Sequence, residues 1–351
     1  MTASTLKPQN LESSANQFNW RMRDVIKSLP REVFIKDSRK AWTTVAVNVL
    51  MVGLGYWGLA ISPWFLLPVF WIFTGTALTG FFVIGHDCGH RSFANRKWVN
   101  DLVGHLAMLP LIYPFHAWRV GHNIHHKHTN KLGVDNAWEP WLPEIYGELK
   151  NPLLAWFYRR LRGRFWWLGS ITHWAAVHFT WWNFEKRYQA KVRLSVIVVL
   201  VGAAIGFPVL IATTGIWGFV KFWLLPWLVY HFWMSTFTIV HHTDPDIPFH
   251  SPENWNEAES QLTGTVHCDY PRWVEFLCHD INVHVPHHIS AAIPHYNLRK
   301  AHQSLKDNWG GYIKESKFSW SLMKKITDLC HLYDDRKYYQ SFQEFHGQNK
   351  V

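Results

Sequence analysis

Two pairs of long apolar runs interrupt an otherwise polar chain. Residues 42–61 carry no charge, and after Ser62 and Pro63 the same holds for residues 64–84. Each run is about 20 residues, the length an α-helix needs to cross a hydrocarbon core of roughly 30 Å. The pattern predicts a helical hairpin. A second pair follows at residues 194–212 and 217–240, broken near Thr213, Thr214 and Gly215, with kinks expected at Pro208 and Pro226. Two shorter stretches are ambiguous. Residues 102–115 are apolar but too few to span, which suits an interfacial or re-entrant element. Residues 165–182 are flanked by basic residues on both sides and crowded with tryptophan, so they are expected to lie flat.

Charge orients this pattern. Of 35 Lys and Arg, 8 fall in residues 1–40, 15 in residues 85–193, 11 in residues 241–351, and Lys221 is the remainder. The two hairpin turns carry none. By the tendency of basic loops to stay inside, both termini and the long middle segment are cytoplasmic. Lys221 sits near its hairpin tip and can snorkel. The expected fold is an all-α integral membrane protein: two transmembrane hairpins, four spans, and a cytoplasmic helical cap. Its segments are 1–40 (cytoplasmic), 41–84 (first hairpin), 85–193 (cytoplasmic), 194–240 (second hairpin) and 241–351 (cytoplasmic).

Composition changes the picture in three ways. The net charge of +10 calls for an anionic partner, and beside four spans a lipid surface fits better than nucleic acid. The 23 tryptophans are expected in an aromatic belt at headgroup level. The 4 cysteines show no CxxC spacing, which suits reduced thiols and argues against a structural zinc knuckle. Residues 1–40 contain no apolar run, so no cleavable secretory leader is expected.

The histidines carry the candidate chemistry. His86-Asp-Cys-Gly-His90, His122-Asn-Ile-His125-His126 and His284-Val-Pro-His287-His288 hold 8 of the 23 histidines in three five-residue windows. Uniform scatter would put about one there. Positions i, i+3 and i+4 share a helix face, so HxxxH and HxxHH each aim imidazoles at a common point. The first box starts two residues beyond the second span and the second box follows on the same side. An even number of spans then separates them from the third, so all three face the cytoplasm. Pro286 disturbs the third box; it is expected to open a helix at its own position, leaving His284 just outside. A polar stripe of His231, Ser235, Thr238 and His242 runs down one face of the fourth span and should point inward. It makes His242, rather than His241, a ninth ligand candidate; His279 is a weaker one. Asp87, Asp101, Asp135 and Asp280 lie near enough in sequence to orient imidazole N–H groups.

Nine imidazoles exceed the needs of one ion and imply two. No HExxH is present, which disfavours a zinc peptidase, and no ExxH boxes, which excludes a carboxylate-bridged four-helix bundle. Haem would need only one or two axial histidines. Spacing alone does not choose among iron, copper, nickel and zinc. A membrane metal transporter would spread ionisable groups along several spans, whereas here they gather at one end.

HDCGH, HNIHH and HVPHH, in this order around two apolar hairpins, resemble the three histidine boxes of membrane fatty acid desaturases. The longer strings GTALTGFFVIGHDCGHRSFANRKWVNDLVGH, WMSTFTIVHHT and GTVHCDYPRWVEFLCHDINVHVPHH are similar to the cyanobacterial acyl-lipid delta-12 (omega-6) group. The resemblance implies two Fe2+ ions and, through His86, His90, His122, His125, His126, His284, His287 and His288, a centre that uses O2 and two electrons. It would insert a cis double bond into acyl chains of membrane glycerolipids, oleoyl to linoleoyl, in a plasma or thylakoid membrane. Ferredoxin would be the donor, and the basic cytoplasmic face suits an acidic carrier. No catalytic residue beyond the metal ligands is expected. An omega-3 desaturase or an acyl hydroxylase on the same scaffold are the alternatives.

Overall fold

The computed structural model describes residues 20–334 and 338–348. Residues 1–19 of the expected N-terminal segment, and 335–337 and 349–351 of the last one, lie outside the described residues. The chain is mostly helical, with three helical stretches long and apolar enough to cross a membrane: Ser38–Ile61, Trp64–His90 and Lys186–His242.

Helix α1, Ser38–Ile61, begins where the Asp37 carboxylate accepts the backbone N–H groups of Arg39 and Lys40 at 2.8 and 3.2 Å. This satisfies donors that a helix start leaves orphaned. One turn, Trp64–Leu66, reverses the chain into α2, Leu67–His90. Close approach of the two helices depends on Gly58, where a Cβ would lie 2.0 Å from the Phe70 ring. Their environments differ. In α2, 61% of the apolar window is buried against 28% in α1, so α2 is the central helix and α1 flanks it. α2 continues beyond residue 84 to include the first histidine box and stops at Arg91, whose φ of 63° ends the helix.

Residues 102–115 form the turn of a helix–turn–helix that runs along α2 and comes back. Helix α3, Lys97–Met108, runs back along α2, where Met108 packs against Gly85; after a turn at Leu109–Leu111, helix α4, Phe115–Lys127, returns to the level of the first box. The carbonyls of Pro110, Leu111 and Ile112 at the turn accept indole N–H bonds from Trp223, Trp227 and Trp174 at 3.1, 2.9 and 2.8 Å. Irregular backbone inside apolar surroundings needs such partners. Part of the tryptophan excess therefore stitches a loop, while others, such as Trp57, Trp64 and Trp217, stay exposed as a belt requires.

Residues 165–182 contain one α-helix of nine residues, α6, Gly169–Val177, flanked by short 3-10 turns and preceded by the amphipathic α5, Pro152–Arg162. Nine residues are too few to span. The long apolar stretch begins as α7, Lys186–Phe219, and ends as α8, Leu225–His242. It turns back at Gly215, where φ 72° and ψ 176° are left-handed and extended, a conformation suited to glycine. The Phe207 and Trp223 rings sit 4.5 Å apart. A straight helix would separate positions 16 apart by about 24 Å. A π-turn at Val220–Leu224 absorbs the irregularity ahead of Pro226. The stripe on α8 points inward: His231 Nδ1 meets Ser170 Oγ at 2.9 Å, and Ser235 Oγ accepts the Ser170 N–H at 2.9 Å.

The C-terminal region packs α9, Glu257–Thr263, α10, His284–Ile289, and α11, Leu298–Trp309, around a two-stranded parallel ribbon of β1, Val266–Asp269, and β2, Lys314–Lys317. A second, antiparallel ribbon joins β3, Leu332–Asp334, and β4, Tyr338–Gln340. An all-α reading therefore needs correcting, because strands of three or four residues leave no alternation long enough to read. The expected helix start at Pro286 also shifts: α10 begins at His284, so that histidine is its first residue. Proline is tolerated in the first turn, where its missing N–H has no partner to lose.

Candidate metal centre

The three boxes converge although they lie on different helices. The last turns of α2 supply His86 and His90, the last turns of α4 supply His122, His125 and His126, and α10 supplies His284, His287 and His288. Two groups result. Ligand atoms of His86, His90, His122, His126 and His287 all lie within 4.8 Å of one another, as do those of His125, His242 and His288. His284 is in neither set, yet its Nε2 lies 2.8 Å from His242 Nε2. His241 belongs to neither group, stacking on Phe237 at 5.4 Å with its ring 4.7 Å from that of His284, and His279 has its Nε2 3.0 Å from the Asn48 side-chain amide.

The residues fit a bound metal pair by their own chemistry. Buried nitrogens of six of these rings, His86 Nδ1, His90 Nε2, His242 Nδ1, His284 Nδ1, His287 Nε2 and His288 Nε2, have no hydrogen-bond partner among the described residues. Buried polar atoms are seldom left so. Burial, reinforced by the neighbouring imidazoles, holds His122, His126, His284, His287 and His288 well below the usual histidine range. They are therefore neutral at physiological pH, the form that ligates metal.

Orienting groups are unevenly placed. Asp135 Oδ1 lies 2.7 Å from His125 Nδ1, its other oxygen accepting the Asn130 N–H at 2.7 Å, so the carboxylate is fixed and directs Nε2 toward His242. Gln261 Oε1 lies 2.8 Å from His288 Nδ1, and its amide donates to the His126 carbonyl. Asp87 lies beside His86, with Nδ1 3.6 Å from Oδ1, but its bonds go to His295, at 2.8 Å to Nδ1 and 3.1 Å to the backbone N–H. Two expected orienters do other work. Asp101 pairs with Arg91 and Arg119 at 3.2 and 3.5 Å, and Asp280 pairs with Arg299. Both guanidiniums near Asp101 offer a stronger partner than a distant neutral imidazole. Gln261 and His295 had no spacing signal and reach the centre only through tertiary packing, while Thr129, just past the second box, has its Oγ1 3.2 Å from His288 Nδ1.

Both groups open onto one cavity of about 590 Å3, walled by His86, His122, His125, His242 and His284 at one end. Beyond these histidines its lining is largely apolar, including Phe82, Val83, Trp118, Met234 and Phe237, with Glu139, Arg162 and Ser170 among the polar groups that also face it. Such a cavity suits a hydrocarbon chain drawn past a metal pair.

The site is thus a cluster of imidazoles able to hold metal, at the end of helices long and apolar enough to cross a membrane and beside a largely apolar cavity. The chain belongs to the fatty acid desaturase family, whose model matches residues 62–318. It is 62% identical to an sn-1 oleoyl-lipid 12-desaturase of Anabaena variabilis over 99% of both chains. A protein of the same description from Synechocystis sp. is 60% identical over 92% of both. A chloroplastic omega-6 fatty acid desaturase of Spinacia oleracea is 52% identical, covering 92% of this chain and 72% of that one.

Proposed function

We propose that this chain is an acyl-lipid delta-12 desaturase that converts oleoyl to linoleoyl chains in membrane glycerolipids. The observation that carries the reading is the meeting of nine histidines from four separate helices on the wall of an apolar cavity, supported by relatives named for this reaction at 56% to 62% identity. Two iron ions are the cofactors. His86, His90, His122, His126 and His287 hold one, and His125, His242, His284 and His288 hold the other. Bound iron with O2 and two electrons supplies the oxidising power to remove two methylene hydrogens, which no side chain has.

The protein's own residues position and exclude. Asp135 and Gln261 fix the tautomers of His125 and His288, so each ring turns its lone pair inward. Phe82, Trp118 and Met234 line the path of the chain and keep bulk water from it. Four spans are the topology that best suits the reversal at Gly215: α1, α2, α7 and α8 cross the membrane, and the segments between and after them form a cytoplasmic cap. The termini and the metal centre then share the cytoplasmic side of a plasma or thylakoid membrane, where ferredoxin is the donor. A cluster at that level lets an acyl chain reach the metals from the bilayer while electrons come from water.

Expression in a host that makes oleoyl lipids and reduced ferredoxin, followed by fatty-acid analysis, tests the reading. Linoleate is expected. A hydroxy acid would mean a hydroxylase, and alpha-linolenate formed only from supplied linoleate would mean an omega-3 enzyme; either result overturns it.

A further inference from the structure

A third cluster lies apart from both imidazole groups. The parallel pairing of β1 with β2 sets His267 opposite Glu315, so both side chains leave the same face of the ribbon. Helix α11 brings His302 onto that face from its buried stripe of Leu298, Ala301 and Leu305, and the His302 and His267 rings stack at 4.2 Å. Ligand atoms of His267, His302 and Glu315 all lie within 4.8 Å of one another.

Ordinary hydrogen bonds account for only half of this arrangement. His302 Nε2 lies 2.7 Å from Glu315 Oε1, and His267 Nε2 lies 3.2 Å from Asp269 Oδ1. That leaves Nδ1 of both rings buried with no hydrogen-bond partner among the described residues, each residue being only 7% exposed. A metal ion would take the place of the proton shared by His302 Nε2 and Glu315 Oε1, with His267 offering a ring nitrogen within 4.8 Å of both partners. Lys306 engages the other Glu315 oxygen, Oε2, at 2.8 Å and leaves Oε1 facing the rings. The close approaches match those inside the main centre, where His122 and His126 Nε2 atoms are 3.0 Å apart.

We propose that His267, His302 and Glu315 bind one zinc-class divalent ion, separate from the iron centre. Two imidazoles and one carboxylate are a zinc donor set, and water completes the tetrahedron. β1 precedes the third histidine box and α11 and β2 follow it, so the ion clips together the two sides of the chain that carry α10. Its role is structural.

The test is metal analysis of the full-length protein purified in detergent, as isolated and after incubation with Zn2+ and desalting. One zinc per chain is expected in addition to iron. H267A and H302A should each lower zinc affinity by about tenfold or more while iron content and linoleate formation persist. E315Q, which keeps the shape but removes the charge, should weaken zinc less. Co2+ in place of Zn2+, added to iron-loaded protein, should give visible d–d absorption in the wild type that is clearly reduced in H302A. Wild-type protein that takes up no zinc overturns the proposal regardless of how the variants fold. So does uptake that is equal in wild type and the H267A/H302A double variant. Either result would leave the desaturase reading intact, since linoleate formation does not depend on this ion.

Discussion

The two imidazole groups are assembled on different principles. The group of five takes a pair from α2, His86 and His90, and a pair from α4, His122 and His126, then adds His287. Within each pair the i, i+4 spacing of one helix already sets the separation. The group of His125, His242 and His288 draws each ring from a different helix. It is also wholly buried, whereas His90, His122 and His126 keep some exposure. No single helix fixes its geometry, and it is here that Asp135 and Gln261 bond the ring nitrogens that face away from the cluster. Rings that come in helical pairs have their spacing set by one helix, whereas rings gathered one by one have theirs set by packing and by the groups that bond them.

Removing a ligand from either group should have the largest effect. His126→Ala and His242→Ala are each expected to cut linoleate formation by at least about 100-fold, checked by fatty-acid analysis of expressing cells. Comparable losses would put the two groups on an equal footing, and a near-normal His242→Ala enzyme would break the pairing. Asp135→Asn comes next. It keeps the size but weakens the hold on the His125 tautomer, and a loss of about 10- to 100-fold in iron affinity or rate is expected, measured by iron retention under chelator. Gln261→Ala should cost less, about tenfold, because its amide is a neutral partner. Asp101→Asn is the contrast. It touches Arg91 and Arg119 instead of an imidazole side chain, and a partly exposed ion pair is worth about 0–1 kcal/mol, so iron content should be unchanged and thermal stability only slightly lower.

The same division explains what could be read from the chain. Uncharged runs of spanning length located α1, α2, α7 and α8, because length and lack of charge are properties of local sequence. HxxxH and HxxHH were visible for the same reason. His242 was reached only indirectly, through the polar stripe on α8. Asp135, 10 positions from His125, was readable as an acidic residue near the second box, whereas Gln261 stands 27 positions from His288 and nothing local ties it to that ring. The dip of α3 and α4 was readable as an apolar stretch too short to span, but not the three indoles that close its turn, since those come from α6 and from the π-turn and start of α8. The ribbons of three and four residues were too short to register against helices on either side.

The account rests on two metal sites that share one cavity wall, and iron stoichiometry tests it most directly. Purified active protein should carry two irons per chain, falling to about one in His126→Ala and in His242→Ala. Active wild-type protein with one iron or none, or both variants keeping the full complement, would contradict it.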